Sequence, residues 1–332
     1  MSAPASQSFP ISPELIAWLM ESDPSLRWQV MRDLLDAPAE AVQAERDRVP
    51  VEGWGKQLLE SQDPNGGWGG GAWNPGFDST MHVLTLLKDL GVQPSNPQLQ
   101  AALAKVRQNL VWTGDPLFEG NPYFDGEVEA CINAQVAAAA IYFGQDVSGL
   151  MPKFLGEAQL EDGGWNCDVD SKRGSFNSTF AVLDTLWEYE QAHGPTPNYT
   201  PARLRGEEYL LERQLFMQKH NGSLIAYDRW VGPVLDMPAF TWLTFPHFWP
   251  YDILRGLDYF RKQDRYDPRM QAATRQLLSK RNPDGTWNLD IRFPGNYPID
   301  FGEQMGRPSR WVTFFALRVL KWLATHRALP SD

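Results

Sequence analysis

Carboxyl groups stand where several apolar helices are predicted to begin. The candidates for catalysis are Asp78, Asp125, Glu127 and Asp252, together with the phenol of Tyr251. A carboxyl group that is buried in an apolar cavity has a raised pKa, and the protonation of an alkene requires a protonated acid. The same positions have a structural explanation, because an acidic side chain in the first turn caps a helix and complements its dipole. Both interpretations stay open from the sequence.

Aromatic side chains are frequent at the same helix starts. Aromatic faces attract a cation, so a lining of this kind stabilises a carbocation. Arg310 is suited to bind a carboxylate or a diphosphate on a ligand, or to form an ion pair within the protein. The rings equally suit the packing of a helical core. The residues expected to bind substrate are Trp28, Phe77, Tyr123, Phe176, Trp249, Arg310 and Trp311.

Two cysteines and two histidines form a further candidate site. Cys131 and Cys167 fall near the starts of neighbouring predicted helices, and His220 and His247 stand near the two ends of an aromatic-rich segment. Two thiolates and a histidine are a ligand set that zinc accepts. No two of the four residues have the short spacing of a metal motif, and a cysteine in an apolar helix is also an ordinary small apolar residue. Zinc is the one cofactor that this pattern suggests.

Composition and charge exclude some classes of protein. The chain has 332 residues, a net charge of −11 and 14 tryptophans. Nucleic-acid binding is not expected, because contacts to phosphate need clustered lysine and arginine. The sequence shows no apolar run of about 18 residues that would span a membrane, and no basic, apolar leader at its start. With only two cysteines, we expect a cytoplasmic protein with reduced thiols.

Turns of one type recur along the chain. They are 62–68 (QDPNGGW), 159–165 (QLEDGGW) and 281–287 (RNPDGTW), and each follows a predicted helix. We expect the glycine to end that helix in the left-handed conformation and the tryptophan to fold back over the helix end. The intervals between the tryptophans are long enough for two helical hairpins each.

Helices of two kinds alternate between these turns. Broad apolar faces predict buried helices over 26–35, 80–90, 128–143, 178–189, 251–260 and 311–323. More polar, amphipathic helices are predicted near 13–20, 39–59 (broken at Pro50), 97–111, 149–158, 200–216 and 268–280. The alternation predicts an all-α fold, an α6/α6 toroid with the apolar helices inside and a cavity that opens where they begin. An open α-solenoid is the alternative.

One interval between inner helices is longer than the others. Residues 217–246 hold Tyr227, Trp230, Phe240, Trp242 and Phe245. We predict a loop or β-hairpin insertion before the fifth inner helix, which either covers one mouth of the toroid or is a packing flap. The chain, 1–332, is predicted to be a single domain with flexible ends over 1–10 and 326–332.

The tryptophan turns resemble the QW repeats of squalene–hopene cyclases and oxidosqualene cyclases. The segments 23–30 (DPSLRWQV), 163–167 (GGWNC) and 307–311 (RPSRW) resemble bacterial squalene-cyclase-like proteins with a single toroid. This resemblance to the terpenoid-cyclase and protein-prenyltransferase superfamily covers nearly the whole chain, and it implies the toroid and an isoprenoid substrate. The superfamily's Asp-x-Asp-Asp acid motif is absent, with Asp168-Val-Asp170 as a partial look-alike, and so is its Asp-x-Cys zinc pair.

Four functions are compatible with these patterns, because a fold does not determine chemistry. The first is a squalene-cyclase-like enzyme, a lyase or isomerase, that acts on an isoprenoid or another long apolar substrate by acid-initiated cyclisation or isomerisation. The second is a zinc-dependent enzyme that uses Cys131, Cys167 and a histidine. The third is a toroid that binds a lipid or a peptide without catalysis. The fourth, a glycan-active enzyme, is disfavoured by the tryptophan turns. We expect the first.

Overall fold

The computed structural model describes residues 9–225 and 240–330. In these ranges helices α1–α12 are Pro13–Met20, Pro24–Asp33, Ala39–Arg46, Gly53–Glu60, Thr80–Leu90, Pro97–Asn109, Ala130–Tyr142, Phe176–His193, Tyr199–Glu212, Ile253–Lys262, Gln271–Ser279 and Arg310–Thr325. The described residues form only isolated β-bridges beside the helices. The fold is therefore all-α, as the sequence predicts.

The predicted apolar helices are all present, as α2, α5, α7, α8, α10 and α12. Local signals explain where they begin and end. Asp23 precedes α2 and caps it by accepting a hydrogen bond from the backbone N–H of Ser25. Pro24 suits the first position of the helix, because it has no N–H that would need a partner there. At the other end of α5, Gly91 takes the left-handed conformation, with φ at 94°, and terminates the helix.

The polar helices are less regular than predicted. The break at Pro50 is confirmed, since α3 and α4 lie on either side of it. The helix predicted over 149–158 is wrong. Two short 3-10 turns, Met151–Phe154 and Gly156–Ala158, replace it, because Gly156 has a φ of 63° that interrupts an α-helix. Helix α9 also ends earlier than predicted, since Gln214 and Leu215 have positive φ.

The tryptophan turns share one set of contacts. The indole N–H of Trp68 donates to the carbonyl of Leu58 in α4, at 2.8 Å, and its backbone N–H donates to Oγ1 of Thr80 in α5, at 2.9 Å. The same pair of bonds joins Trp165 to Phe154 and Thr179, and Trp287 to Leu277 and Thr313. Each buried indole thus connects the end of one element to the start of the next apolar helix, which confirms the predicted fold-back.

The glycines of these turns do not cap helices, contrary to the prediction. Helix α4 ends at Glu60 with Ser61 as its C-cap, well before Gly66. Gly66 has a φ of 98°, and a Cβ there would lie 2.4 Å from Cβ of Lys105 in α6. The glycine therefore serves a left-handed turn that packs closely against the following polar helix.

The last helix packs against the first two. Helix α12 contacts α1 and α2, and Arg318 of α12 forms an ion pair with Asp33 of α2 at 3.3 Å. One continuous cluster of buried apolar side chains runs from Leu15 in α1 to Leu323 in α12. Among the described residues, none of the helices combines the length and apolar character that crossing a membrane requires.

Candidate functional site

A cavity of about 360 Å³ lies between the six apolar helices α2, α5, α7, α8, α10 and α12, all of which contribute to its lining. We call it the six-helix cavity. Its wall includes Leu90, Tyr142 and Lys262, the last residues of α5, α7 and α10. The cavity therefore reaches the carboxyl ends of these helices, and it also includes Arg255 and Trp311 in the first turns of α10 and α12.

Aromatic side chains pack against one another at the helix starts. Phe245 stacks on Trp311 at the start of α12, with ring centroids 4.7 Å apart, and Phe248 stacks on Phe77 just before α5, also at 4.7 Å. Phe245, in the described part of the predicted insertion, thus packs against the start of α12. The bridge between Met217 and Leu224 marks a short hairpin-like turn at its beginning. Tyr227 and Trp230 lie outside the described residues.

One side of the six-helix cavity is aromatic. Phe245 and Trp311 form a stacked pair, and Phe315 lies 5.6 Å from Trp311 between ring centroids. The cavity's aromatic residues, which we call the aromatic wall, are Trp28, Tyr142, Phe180, Phe245, Trp311 and Phe315. This wall offers both apolar contact and ring faces that attract cations.

The other lining residues carry many charges. Cationic side chains outnumber carboxylates, seven to four, although the whole chain has a net charge of −11. The cations are Arg32, Arg46, Lys88, Arg255, Arg261, Lys262 and Arg318, and the carboxylates are Asp89, Asp184, Glu188 and Asp258. The cavity is therefore a cationic region within an acidic protein, which favours anionic ligands.

Most of these charges are paired with one another. Asp258 binds Arg261 and Arg318 at 2.6 Å each, and Asp184 binds Lys262 at 3.0 Å. Burial alone would raise the pKa of Asp258, but the attraction of Arg261 and Arg318 outweighs burial and holds that pKa well below its usual range. The pKa of Asp184 is lowered in the same way, because Lys262 and Lys88 outweigh its burial. Both carboxylates are therefore ionised at neutral pH.

The predicted acids lie outside this cavity. None of Asp78, Asp125, Glu127, Tyr251 and Asp252 is among its lining residues. Asp125 is exposed at the end of a 3-10 turn, and Asp78 accepts a hydrogen bond from the side-chain amide of Asn74 at 2.9 Å. The hydroxyl of Tyr251 donates to the carbonyl of Leu215 at 2.9 Å.

Asp252 and Glu127 are the two predicted carboxylic acids with raised pKa values. Asp252 caps α10, accepting from the backbone N–H of Arg255 at 2.9 Å and from the N–H and hydroxyl of Thr244 at 3.1 Å. Burial raises its pKa to about 6 despite these donors. Glu127 accepts from the N–H groups of Val128 and Glu129 at 2.6 Å each, and burial raises its pKa to about 7.

The predicted aromatic residues divide into two groups. Trp28 and Trp311 line the six-helix cavity, and Trp249 lines a smaller cavity of about 30 Å³ that shares Arg255 with it. The others pack against neighbouring rings instead: Phe77 against Phe248, Tyr123 against Trp112 and Phe176 against Phe240.

Arg310 also lies away from the cavity lining. Its Nε donates to the carbonyl of Trp18 at 2.9 Å, and it pairs with Glu21 at 3.5 Å. These contacts join α12 to α1 and assign Arg310 a structural place. The predicted ligand contact of this arginine has no support in its surroundings.

Cys131 and Cys167 come together as expected, but in a disulfide, so the expectation of reduced thiols is wrong for this structure. The N–H of Cys131 and the hydroxyl of Ser178 both lie 3.2 Å from Sγ of Cys167. Glu129 is the third member of the group, since one of its oxygens and the two sulfur atoms lie within 4.8 Å of one another. The predicted histidine ligands are elsewhere, with His220 exposed and His247 in the six-helix cavity.

The charged lining of the cavity was missed from the sequence, although a signal for it exists. Lys88, Asp184 and Arg318 each stand within a helix that the apolar pattern predicts to be buried. Because isolated charges are rarely buried without a partner, such residues indicate either internal ion pairs or a polar cavity. The sequence alone does not show that they face one common space.

Comparisons with known proteins give only distant structural likeness. No family model matches the sequence, and no curated protein matches it. The chain is similar to solved structures of the type II terpene cyclase MstE from Scytonema. A variant in complex with merosterolic acid A, its product, has 17% identity and a TM-score of 0.45 over 93% of this chain and 95% of that chain. The apo structure has 18% identity and a TM-score of 0.43 over 96% and 92%. Likeness at this level carries no argument on function.

Proposed function

We propose that the protein is a terpene-cyclase-like enzyme on an α6/α6 toroid, and that the six-helix cavity takes up an isoprenoid or another long apolar chain. The toroid is supported by six helices around one cavity and by the contacts of α12 with α1 and α2. The observation that carries the function is the aromatic wall, which gives a chain an apolar surface and a developing carbocation several ring faces. The cavity volume lies in the range of ligand pockets.

Asp252 is the acid that we propose for such a reaction. Its pKa of about 6 keeps a protonated fraction near neutral pH. It is also connected to the cavity wall, because Thr244 binds its carboxyl group and directly precedes Phe245. Because Asp252 does not itself line the cavity, its proton would pass through the hydroxyl of Thr244, which would give up its own proton to form a C–H bond with a terminal alkene carbon. The alkene electrons would leave a carbocation at the neighbouring carbon. Loss of a proton from the cyclised cation would complete the reaction.

A non-catalytic binding toroid is the alternative outcome for the same cavity. It is favoured by the state of Asp184 and Asp258, which line the cavity but are held ionised by lysine and arginine and so cannot donate a proton. In this case the aromatic wall would hold the chain without reacting with it.

Product analysis separates these outcomes. The purified protein is incubated with squalene, farnesyl diphosphate and geranylgeranyl diphosphate, and extracts are analysed by gas chromatography and mass spectrometry. A cyclised product that disappears in Asp252→Asn supports the enzyme. Binding without turnover supports the binding toroid. Absence of both overturns the proposal. Phe315→Ala, in the aromatic wall, should weaken binding, whereas Phe118→Ala, which packs against Trp112 outside the cavity, should not.

A zinc-dependent enzyme is a second candidate, favoured by the group of Glu129, Cys131 and Cys167. One carboxylate and two thiolates are ligands that zinc accepts, but the sulfurs must first be reduced. Metal analysis of reduced protein after dialysis against zinc would test it. If this function is correct, we expect about one zinc per chain. The zinc content should be lower in Cys131→Ser and unchanged in Ser171→Ala. No retained metal in the reduced protein would exclude it.

A further inference from the structure

Arg255 differs from the other cations of the six-helix cavity. Its Nη1 donates to the carbonyl of Pro250 at 2.7 Å, but among residues 9–225 and 240–330 it has no salt bridge to a carboxylate. Arg32, Lys88, Arg261, Lys262 and Arg318 all have one. Arg46 also lacks a carboxylate partner in these ranges, yet it bonds to the carbonyl of Gly91 and the hydroxyl of Tyr142. Among the described residues, Arg255 is thus the one cavity cation that has no carboxylate partner and only one hydrogen bond from its side chain.

The position of Arg255 makes this lack of a partner costly. Its guanidinium lies over the ring of Phe180, 4.6 Å from the centroid, and the residue lines both the six-helix cavity and the smaller one. Burial lowers the pKa of Arg255, against the attraction of Asp252, Asp184 and Asp89. A guanidinium remains charged under such conditions. A buried charge of this kind normally has an ionic partner.

The nearby carboxylates do not supply that partner, because they are already bound. Lys88 lies 3.2 Å from Asp89 and 3.6 Å from Asp184. Lys262 adds a second bond to Asp184. The oxygen atoms of Asp252 are occupied by backbone and hydroxyl donors. Guanidinium donors that remain free toward the cavity suit an oxyanion, which accepts two parallel hydrogen bonds from one arginine.

His247 provides an independent indication at the same cavity. Its ring lies 4.9 Å from that of Phe315 in a stacked arrangement. Its Nε2 is buried and has no hydrogen-bond partner in the described part of the chain. Burial, reinforced by the positive charge of Arg255, lowers the pKa of His247 well below its usual value, so the ring is neutral. A buried polar atom without a partner in the protein is the kind of group that a ligand satisfies.

We propose that the six-helix cavity binds the oxyanion group of its ligand, a carboxylate or a phosphate, at Arg255, with His247 as a second hydrogen-bonding group. The ligand would therefore be an amphiphile, with its charged end at Arg255 and its chain along the aromatic wall. This inference rests on the proposed function for the chain, but the oxyanion site stands on the charges of the cavity. It also moves the anion contact from Arg310, where the sequence suggested it, to α10.

The test compares ligands that share one chain. Isothermal titration calorimetry would measure the affinity of the full-length protein for farnesyl diphosphate, farnesoic acid and farnesol, and for inorganic pyrophosphate without a chain. We expect one of the two charged farnesyl compounds to bind about 10- to 100-fold more tightly than farnesol, because a charged hydrogen bond has this effect. Which of them binds better distinguishes a phosphate from a carboxylate.

Variants then locate the oxyanion. Arg255→Gln should remove the preference for the charged compounds, while farnesol affinity changes less than about threefold. Arg310→Gln is the matched control, an arginine at the start of a neighbouring helix, and should leave every affinity unchanged. His247→Phe keeps a ring against Phe315 and should weaken the charged compounds about 3- to 10-fold. Circular dichroism and retained farnesol binding establish that the Arg255 variant is folded.

Each outcome decides between the two proposals. Equal affinities for farnesol and the charged compounds, or equal losses in Arg255→Gln and Arg310→Gln, overturn the oxyanion site and leave the chain-binding function standing. Binding of pyrophosphate that depends on Arg255, without binding of any farnesyl compound, supports the oxyanion site and overturns the proposed function. If none of the four compounds binds, both are overturned.

Discussion

Asp252 and Asp258 lie on the same helix, α10, and both carboxyl groups are buried, but their surroundings differ. Asp252 stands at the helix start, where Thr244 and the first turn donate hydrogen bonds to it. Asp258 faces the six-helix cavity, where Arg261 and Arg318 bind it. Burial raises the pKa of the first, whereas two guanidinium groups lower the pKa of the second despite its burial. Burial alone therefore does not predict the charge state of a carboxyl group; its partners do.

The same contrast separates the tryptophan turns from the six-helix cavity. At the turns the polar groups bind one another, as the N–H of Trp165 binds Oγ1 of Thr179. The cavity instead holds Arg255, which has one hydrogen bond to the carbonyl of Pro250, and His247, whose Nε2 has no protein partner in the described ranges. We therefore expect substitutions at the tryptophan turns to change stability, and substitutions in the cavity to change ligand binding as well.

The largest effect on stability is expected for Asp258→Asn. It removes the carboxylate from Arg261 and from the buried Arg318, whose remaining carboxylate partner Asp33 lies 3.3 Å away. Breaking one side of a buried ion pair destabilises a protein by about 3–5 kcal/mol. Urea unfolding at neutral pH measures the change. Asp252→Asn is the control on the same helix and should cost less than about 1 kcal/mol, because asparagine is also a good N-cap. Equal losses would contradict the contrast between the two carboxyl groups.

The pH dependence of stability is expected to be large and to depend on Asp252. Its pKa rises from 3.8 to about 6 on folding, so the folded state holds a proton that the unfolded state releases. The contribution of Asp252 to stability is then largest below about pH 4, and it falls by up to about 3 kcal/mol as pH rises to about 6. Glu127, whose pKa rises from 4.5 to about 7, adds a fall at slightly higher pH.

Unfolding free energies at several pH values test this assignment. Asp252→Asn should remove the fall in the free energy of unfolding between about pH 4 and pH 6. Glu127→Gln should remove the part of the fall that extends toward pH 7. Asp184 and Asp258 do not contribute to this fall in stability at higher pH. Because their pKa values are lowered in the folded state, the stability that they provide is lost only when the pH drops below about 4. A fall that persists in both variants would mean that neither carboxyl group titrates in this range.

Local patterns explain why the helices and the tryptophan turns could be predicted. The apolar face of 80–90 matches Thr80–Leu90 in α5, and the turn around Trp165 has the predicted contact with the preceding element. Both depend on residues near one another in sequence. The α-helix predicted over 149–158 does not form, because Gly156 adopts a positive φ that interrupts the helical pattern.

The location of the cavity could not be predicted, for a different reason. Phe245 stacks on Trp311, which is far from it in the sequence, and both rings line the cavity. In the sequence, Arg255 is an ordinary charged residue of an amphipathic helix. Only the three-dimensional arrangement shows that the neighbouring carboxylates are bound by Lys88 and Lys262. Among the residues predicted at helix starts, Asp252 is a helix cap, whereas Trp311 lines the cavity.

A smaller effect is expected at the tryptophan turns. Oγ1 of Thr179 accepts a hydrogen bond from the backbone N–H of Trp165 at 2.9 Å. Thr179→Val leaves this buried N–H without its partner, while the volume of the side chain hardly changes. The expected loss of stability is about 1–3 kcal/mol, with similar losses in Thr80→Val and Thr313→Val. The exposed Thr325 donates within its own helix at 2.7 Å, so Thr325→Val serves as the control. Farnesyl diphosphate affinity should stay unchanged in all four; a selective loss in Thr179→Val would connect the helix starts to the cavity.

The smallest effect is expected for Arg310→Gln. This arginine is about one-third exposed, and its distance of 3.5 Å to Glu21 is long for an ion pair. Such surface pairs contribute about 0–1 kcal/mol, so the variant should unfold within that margin of the wild type. Raising the salt concentration should reduce even this difference, because exposed charges are screened. Arg255→Gln, measured beside it, removes a cation that is buried over Phe180. If the two variants bound charged farnesyl compounds with equal affinity, Arg255 would hold no advantage over Arg310 as an anion site.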